Sequence, residues 1–127
     1  MGYAESYTCN PTTNAGGAAT AFTNGILSGR IQNIIYTQDG TNPYSGGATV
    51  TVTTETTGQA VWSATLAGSV TVAPRQATHD TAGAAALYAA GGTAVRDRIL
   101  AVQERLKFVI AGGGNTKTGA FVVIVGQ

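Results

Sequence analysis

Between Ala48 and Thr57 the chain reads Ala-Thr-Val-Thr-Val-Thr-Thr-Glu-Thr-Thr, and no other segment constrains the fold as much. Successive side chains of an extended strand point to opposite faces, so Val50 and Val52 fall on one side and Thr49, Thr51 and Thr53 on the other. β-Branched side chains also lose rotamer freedom in a helix and pack well on a pleated surface. The segment is therefore a half-buried strand, which needs partners. Thr56, Thr57 and Gly58 turn the chain into Gln59 to Leu66, whose face of Ala60, Trp62, Ala64 and Leu66 is apolar, and the two runs predict a β-hairpin.

Comparable runs recur on either side. A strand is predicted from Gly29 to Thr37, with Ile31 and Ile35 on one face and Ile34 and Tyr36 on the other. Asp39-Gly40 and Asn42-Pro43 end it in a turn, since Gly supplies positive φ and Pro presets φ near −65°. A short strand from Ser69 to Ala73 is closed by Pro74, which cannot donate a ladder hydrogen bond. From Arg75 to Gly92 the alanines suit one or two helical turns, or a loop lying flat on a partner. Leu106, Phe108 and Ile110 alternate with Arg105, Lys107 and Val109. Across a turn at Gly112 to Gly114, Phe121 to Val125 is apolar on both faces and is expected mid-sandwich as the hairpin partner of the preceding run. Six or so short strands predict a mainly β domain, a β-sandwich or Greek-key-like barrel with at most one short helix.

Residues 1–25 are rich in Thr, Ala, Gly, Asn and Ser and lack a sustained apolar period, so they are expected to form an extended arm before a single β domain over 26–127. Tyr3, Tyr7 and Phe22 stand out on that arm. They either anchor it in a neighbouring subunit or strap it over the chain's own core.

The surface of such a fold should carry charge, yet only 10% of the residues are charged, against about 25% in typical soluble domains. A surface so poor in charge is either hydroxyl-rich or covered by partners. A formal net charge of +1 offers no footprint for nucleic acid and no basic amphipathic stretch for a membrane. Cys9 stands alone, so neither an intrachain disulfide nor a multi-thiolate zinc site is expected. No apolar run reaches the roughly 18 residues a spanning helix needs, and the N-terminus lacks a basic-then-apolar leader.

Candidate chemistry is thin. Gly112-Gly113-Gly114-Asn115-Thr116-Lys117-Thr118 superficially has the look of a phosphate loop, but Thr116 rather than Gly precedes the lysine and a β run follows instead of a helix. His79-Asp80 pairs the one histidine with an acid, but neighbours in sequence point apart, and a lone histidine makes a poor metal site. Asp39 suits its turn, while Asp97, flanked by Arg96 and Arg98, and Glu104, beside Arg105, read as members of local ion pairs or as subunit contacts. No catalytic residue, metal or cofactor is predicted. Arg75, Arg96, Arg98, Arg105 and Lys107 form a solvated face, or present guanidinium groups to the carboxylates of a neighbouring protein. Trp62, Tyr88 and Phe108 are expected in the core.

The order of landmarks resembles small virion proteins of tailed bacteriophages. It is carried by Gly29-x-Ile31, Tyr36, Asn42-Pro43-Tyr44, Gly47-x-x-Val50, Thr54-Glu55-Thr56-Thr57-Gly58 and Trp62. It continues through Pro74-Arg75-x-x-Thr78-His79, Leu87-Tyr88, Gly91-Gly92 and Gly112-Gly113-Gly114-x-x-Lys117-x-Gly119-x-Phe121. The resemblance runs from about residue 26 to the end and implies a head decoration (cement) protein. Such a protein is made in the host cytoplasm, sits on the capsid surface as a homo-oligomer, commonly a trimer, and binds the major capsid protein without catalysis. A tail, head-tail connector or host-surface-binding module is the alternative within the same setting.

Overall fold

Alternation of buried and exposed positions along Thr49–Thr54, with Val50 and Val52 fully buried, places this strand over a core that a second sheet completes. The computed structural model describes residues 4–126, and these contain ten strands and no helix. Two antiparallel sheets pack as a sandwich. The first contains β1 (Glu5–Cys9), β10 (Gly119–Gly126), β3 (Leu27–Gln38), β8 (Arg96–Glu104) and β7 (Arg75–Ala77) in that order, with β6 (Val70–Val72) also paired to β3. The second runs β2 (Ala19–Phe22), β9 (Leu106–Ala111), β4 (Thr49–Thr54), β5 (Ala60–Thr65).

The twelve-residue β3 is long enough to serve two neighbours along one side. Its first half pairs with β8 from Leu27↔Glu104 to Ile31↔Ile99, and its second half with β6 at Ile34↔Val72 to Tyr36↔Val70. Inward side chains of β3 and β10, among them Ile31, Ile34, Tyr36, Phe121 and Val123, meet Val50, Val52, Leu106, Phe108 and Ile110 of the facing sheet. Phe108 and Phe121 join the layers with ring centroids 4.9 Å apart, and Phe121 stacks on Tyr36 at 4.8 Å. Burying each of these rings contributes roughly 1.5–3 kcal/mol.

The predicted hairpin of β4 and β5 forms, with Val50↔Ala64 and Val52↔Trp62 in register. The second predicted hairpin does not. β9 pairs with β2 and β4, while β10 pairs with β1 and β3, so the glycine-rich link between them crosses from one sheet to the other. Phe108 and Phe121 can then face each other across the core, which two strands of one sheet would not allow. β10 occupies an interior position in its sheet with one face buried and the other half-buried.

The helix allowed within residues 75–92 is absent, and Gly83 and Gly91 take positive φ in turns there. β8 was not expected. Ile99 and Ala101 point inward, but the apolar Leu100 and Val102 on its outer side hide the alternation.

Nor does the expected arm stand apart from the body. β1 forms an edge of the first sheet against β10, and β2 an edge of the second against β9. Between them Thr13 is buried. Its hydroxyl donates to the Gly114 carbonyl at 2.6 Å and accepts from the Lys117 N–H at 2.7 Å. The segment straps the chain's own core and clasps the loop that would otherwise have been a hairpin turn. Cys9 ends β1 within this strap with its side chain in the core, where burial pushes its thiol up to about 12 and leaves it protonated at neutral pH.

Candidate interaction surfaces

After β7 the chain leaves the sandwich and returns at β8, and residues 78–95 between them fold as a branched hairpin. The branches meet where Thr78 N–H donates to Val95 O at 2.8 Å, Ala86 N–H to Thr78 O at 2.9 Å and Val95 N–H to Ala86 O at 2.8 Å. One branch turns at Asp80, whose Oδ1 accepts the N–H groups of Ala82 and Ala84, and closes with His79 bridged to Ala85. The other closes through Leu87↔Ala94 and Tyr88 N–H to Thr93 O, with Gly91-Gly92 at its tip. Asp80 is thus occupied by its own turn rather than aimed at His79.

No charged residue occurs from Thr81 to Val95, and most of this stretch is exposed. Leu87 is 42% and Tyr88 76% exposed, so Tyr88 is not the core residue its spacing suggested. A tyrosine held outside the core on a two-stranded finger is an anchor of the kind enriched at interfaces.

A second uncharged surface lies where the outer strands β5 and β6 of the two sheets leave the sandwich open. Trp62, Ala64, Leu66, Val70 and Val72 line a cleft of about 420 Å³. Trp62 points to the buried side of β4 and β5 yet stays half-buried, because no strand covers this edge of the layer among the described residues.

The residues singled out from sequence separate into two groups. Arg105 and Phe22 serve this chain itself. Arg105 holds Glu55 through Nε–Oε1 at 2.8 Å and Nη2–Oε2 at 2.6 Å, and its guanidinium lies 4.4 Å from the centre of the Phe22 ring. The bond from Arg105 holds the Glu55 carboxyl below its ordinary value against a smaller desolvation effect. Tyr7 is half-buried against the core and donates to Glu5. Tyr3 lies outside the described residues.

The expected pairing of Glu104 with Arg105 does not occur, because Arg105, in the link between β8 and β9, is taken by Glu55 and Glu104 by the Thr56–Thr57 turn. Glu104 is buried, and its Oε1 accepts from the N–H groups of Thr56 at 2.8 Å and Thr57 at 3.1 Å. Desolvation there works against the charge, but the hydrogen bonds from Thr56, Thr57 and Thr54 outweigh it and lower the pKa.

Arg75, Arg96 and Arg98 do come together. In the β7–β8 ribbon Arg75 stands opposite Arg98, and Ala77 opposite Arg96. Sequence reasoning passed over Arg30, which pairs in register with Leu100 and so shares the outer face with Arg98, two residues along. Only the β3–β8 pairing reveals this, and the sequence holds no local signal for it. Among the described residues Arg105–Glu55 is the sole ion pair, and no three His, Cys, Asp or Glu side chains gather into a metal-holding group.

No family model matches the chain, and no curated protein matches it. Among solved structures, the crystal structure of FLHE is 17% identical, covering 98% of this chain and 96% of that one, at a TM-score of 0.45. A similarity this low bears on neither fold nor function.

Proposed function

We propose that this chain is a non-catalytic virion structural protein of a tailed bacteriophage, a head decoration (cement) protein that binds the capsid lattice and works as a homo-oligomer. The observation that carries the assembly role is the uncharged finger from Thr81 to Val95, with Leu87 and Tyr88 exposed on a body that buries, wholly or in part, the other aromatic rings among the described residues. The virion setting is supported by the order of strand and turn landmarks from Gly29 to Phe121.

Each contact of such a finger is modest, since covering one large apolar side chain yields roughly 1.5–3 kcal/mol. Repetition over a lattice converts modest contacts into tight retention, because a subunit held at one point meets the next at high effective concentration. A protein built for this task needs a rigid sandwich and exposed anchors.

Binding to purified capsids that lack the protein tests the reading. Wild-type protein is expected to co-sediment at hundreds of copies per particle, and Leu87→Ala with Tyr88→Ala to reduce retention at least about tenfold at unchanged thermal stability. A compact monomer that fails to bind any shell would rule out the decoration role. A few copies at a single vertex would assign the chain to the connector or tail instead.

A further inference from the structure

We propose that the outer face of the β7–β8 ribbon, with the adjoining first half of β3, binds an acidic protein surface in which carboxylates alternate with apolar side chains. This rests on the reading of the chain as an assembly module and names the chemistry of its partner.

The face is assembled by register. Arg96, Arg98, Leu100 and Val102 alternate along β8 and point away from the core, because Ile99 and Ala101 between them are buried. Arg75 joins them opposite Arg98, and Arg30 opposite Leu100. Four of the chain's seven basic residues therefore surround two exposed apolar side chains, Leu100 at 53% and Val102 at 60%.

The chain's own carboxylates are nearly all committed elsewhere. Glu55 is held by Arg105, Glu104 by Thr56 and Thr57, Asp39 by the N–H groups of Thr41 and Asn42, and Asp80 by its turn. Glu5 lies on the far edge strand β1. Asp97 sits on the ribbon, but its parity is opposite to that of Arg96 and Arg98, and its Oδ1 accepts the backbone N–H of Arg98 at 2.7 Å.

Like charges directly opposed on paired strands are destabilising. Arg75 and Arg98 stand opposite each other in this way, and Arg75 Nη1 donates to the carbonyls of Pro74 at 2.8 Å and Gln32 at 3.3 Å. An incoming carboxylate relieves the repulsion and meets a planar fork suited to bidentate bonding. Leu100 and Val102 decide between partner classes. A phosphate backbone would use the guanidinium groups and leave both apolar side chains wet, whereas an acidic protein surface covers both.

The test is fluorescence anisotropy with three labelled probes: a peptide alternating Glu and Val, one alternating Lys and Val, and a thymidine oligonucleotide of similar length. They are titrated with wild-type protein, with Arg98→Glu, and with Lys107→Glu, which makes the same charge change on the opposite sheet. Thermal melts of both variants establish that they are folded. The Glu/Val peptide is expected to bind saturably and more weakly as salt rises. Arg98→Glu should cost it at least about tenfold and Lys107→Glu less than about twofold.

Equal losses in the two variants, no saturable binding of the Glu/Val peptide, or tighter binding of the oligonucleotide would overturn the inference. Capsid binding that Arg98→Glu leaves intact would also overturn it while the proposed function stands. Peptide binding by a protein that fails to bind capsids would uphold this surface and remove the decoration role.

Discussion

Gly119 shows how closely single residues are specified in this core. A Cβ at this position would lie 2.7 Å from both Tyr36 Cε1 and Tyr44 Cε2, and both rings are buried and stacked on one another. Neither ring can move aside cheaply. Tyr44 donates its hydroxyl to the Pro11 carbonyl, and Tyr36 is packed on Phe121. Gly119→Ala is therefore expected to destabilise by about 1–3 kcal/mol, read from urea denaturation, although alanine suits a strand better than glycine elsewhere. Glu104 makes a prediction of the other kind. Its folded pKa is lowered, so the stability it contributes is present above its unfolded value near 4.3 and is lost as pH falls through the folded one. Glu104→Gln should flatten the acid limb of the stability–pH profile below about pH 4. Glu104→Ala, which leaves the Thr56 and Thr57 N–H groups without their acceptor, should lower the melting midpoint at neutral pH more than glutamine does. A profile unchanged by either substitution would contradict this account of the turn.

Among the elements, those with alternating large side chains were legible before any coordinates. Along Leu27–Gln38 a register shift turns Ile31 inward with Ile34 and Tyr36 rather than leaving it with Ile35, and along Ala60–Thr65 another buries Val61 and exposes Ala60, so the faces read from simple alternation fail there. The strands at Thr49–Thr54 and Leu106–Ala111 write their inner and outer faces directly into residue order. β1 and β2 do not, because Ala19 and Cys9 are too small to signal a buried face and backbone pairing supplies most of what holds them. The partnership of β9 and β10 was misread for a different reason. A glycine-rich link between two apolar runs has the same composition whether it returns along one sheet or crosses to the other. The crossing is decided by Thr13, about a hundred residues away, which bonds to Gly114 and Lys117. The arginine face was half legible. Arg75, Arg96 and Arg98 cluster in sequence, but Arg30 reaches them only through register, and Arg105 leaves the group because Glu55 captures it.

For the molecule as a whole, the strap is the feature with the largest mechanical consequence. Residues 4–25 supply an edge strand to each sheet and close the gap between the layers at Thr13. Removing the chain up to Gly25 would bare β10 on one sheet and β9 on the other, two apolar strands whose open edges can pair with any extended chain. The truncated protein is expected to lose its single cooperative thermal transition and to elute as large aggregates on size exclusion. A truncated form that melts at the wild-type temperature as a monodisperse species would show that the strap is dispensable.

The pairing of Glu5 with Val125 and of Cys9 with Phe121 also fixes an order of events during synthesis. β1 has no partner until β10 follows more than a hundred residues later, so the first sheet does not reach its final width before then, whereas the second has all its strands once β9 is made. Contacts this distant in sequence make folding slow relative to helical proteins of the same size. They also leave the closing step to the end, because β1 can join its sheet only once β10 has docked on β3. A nascent chain stalled after β9 would hold every residue of the finger and of the arginine face and lack the closed body that carries them.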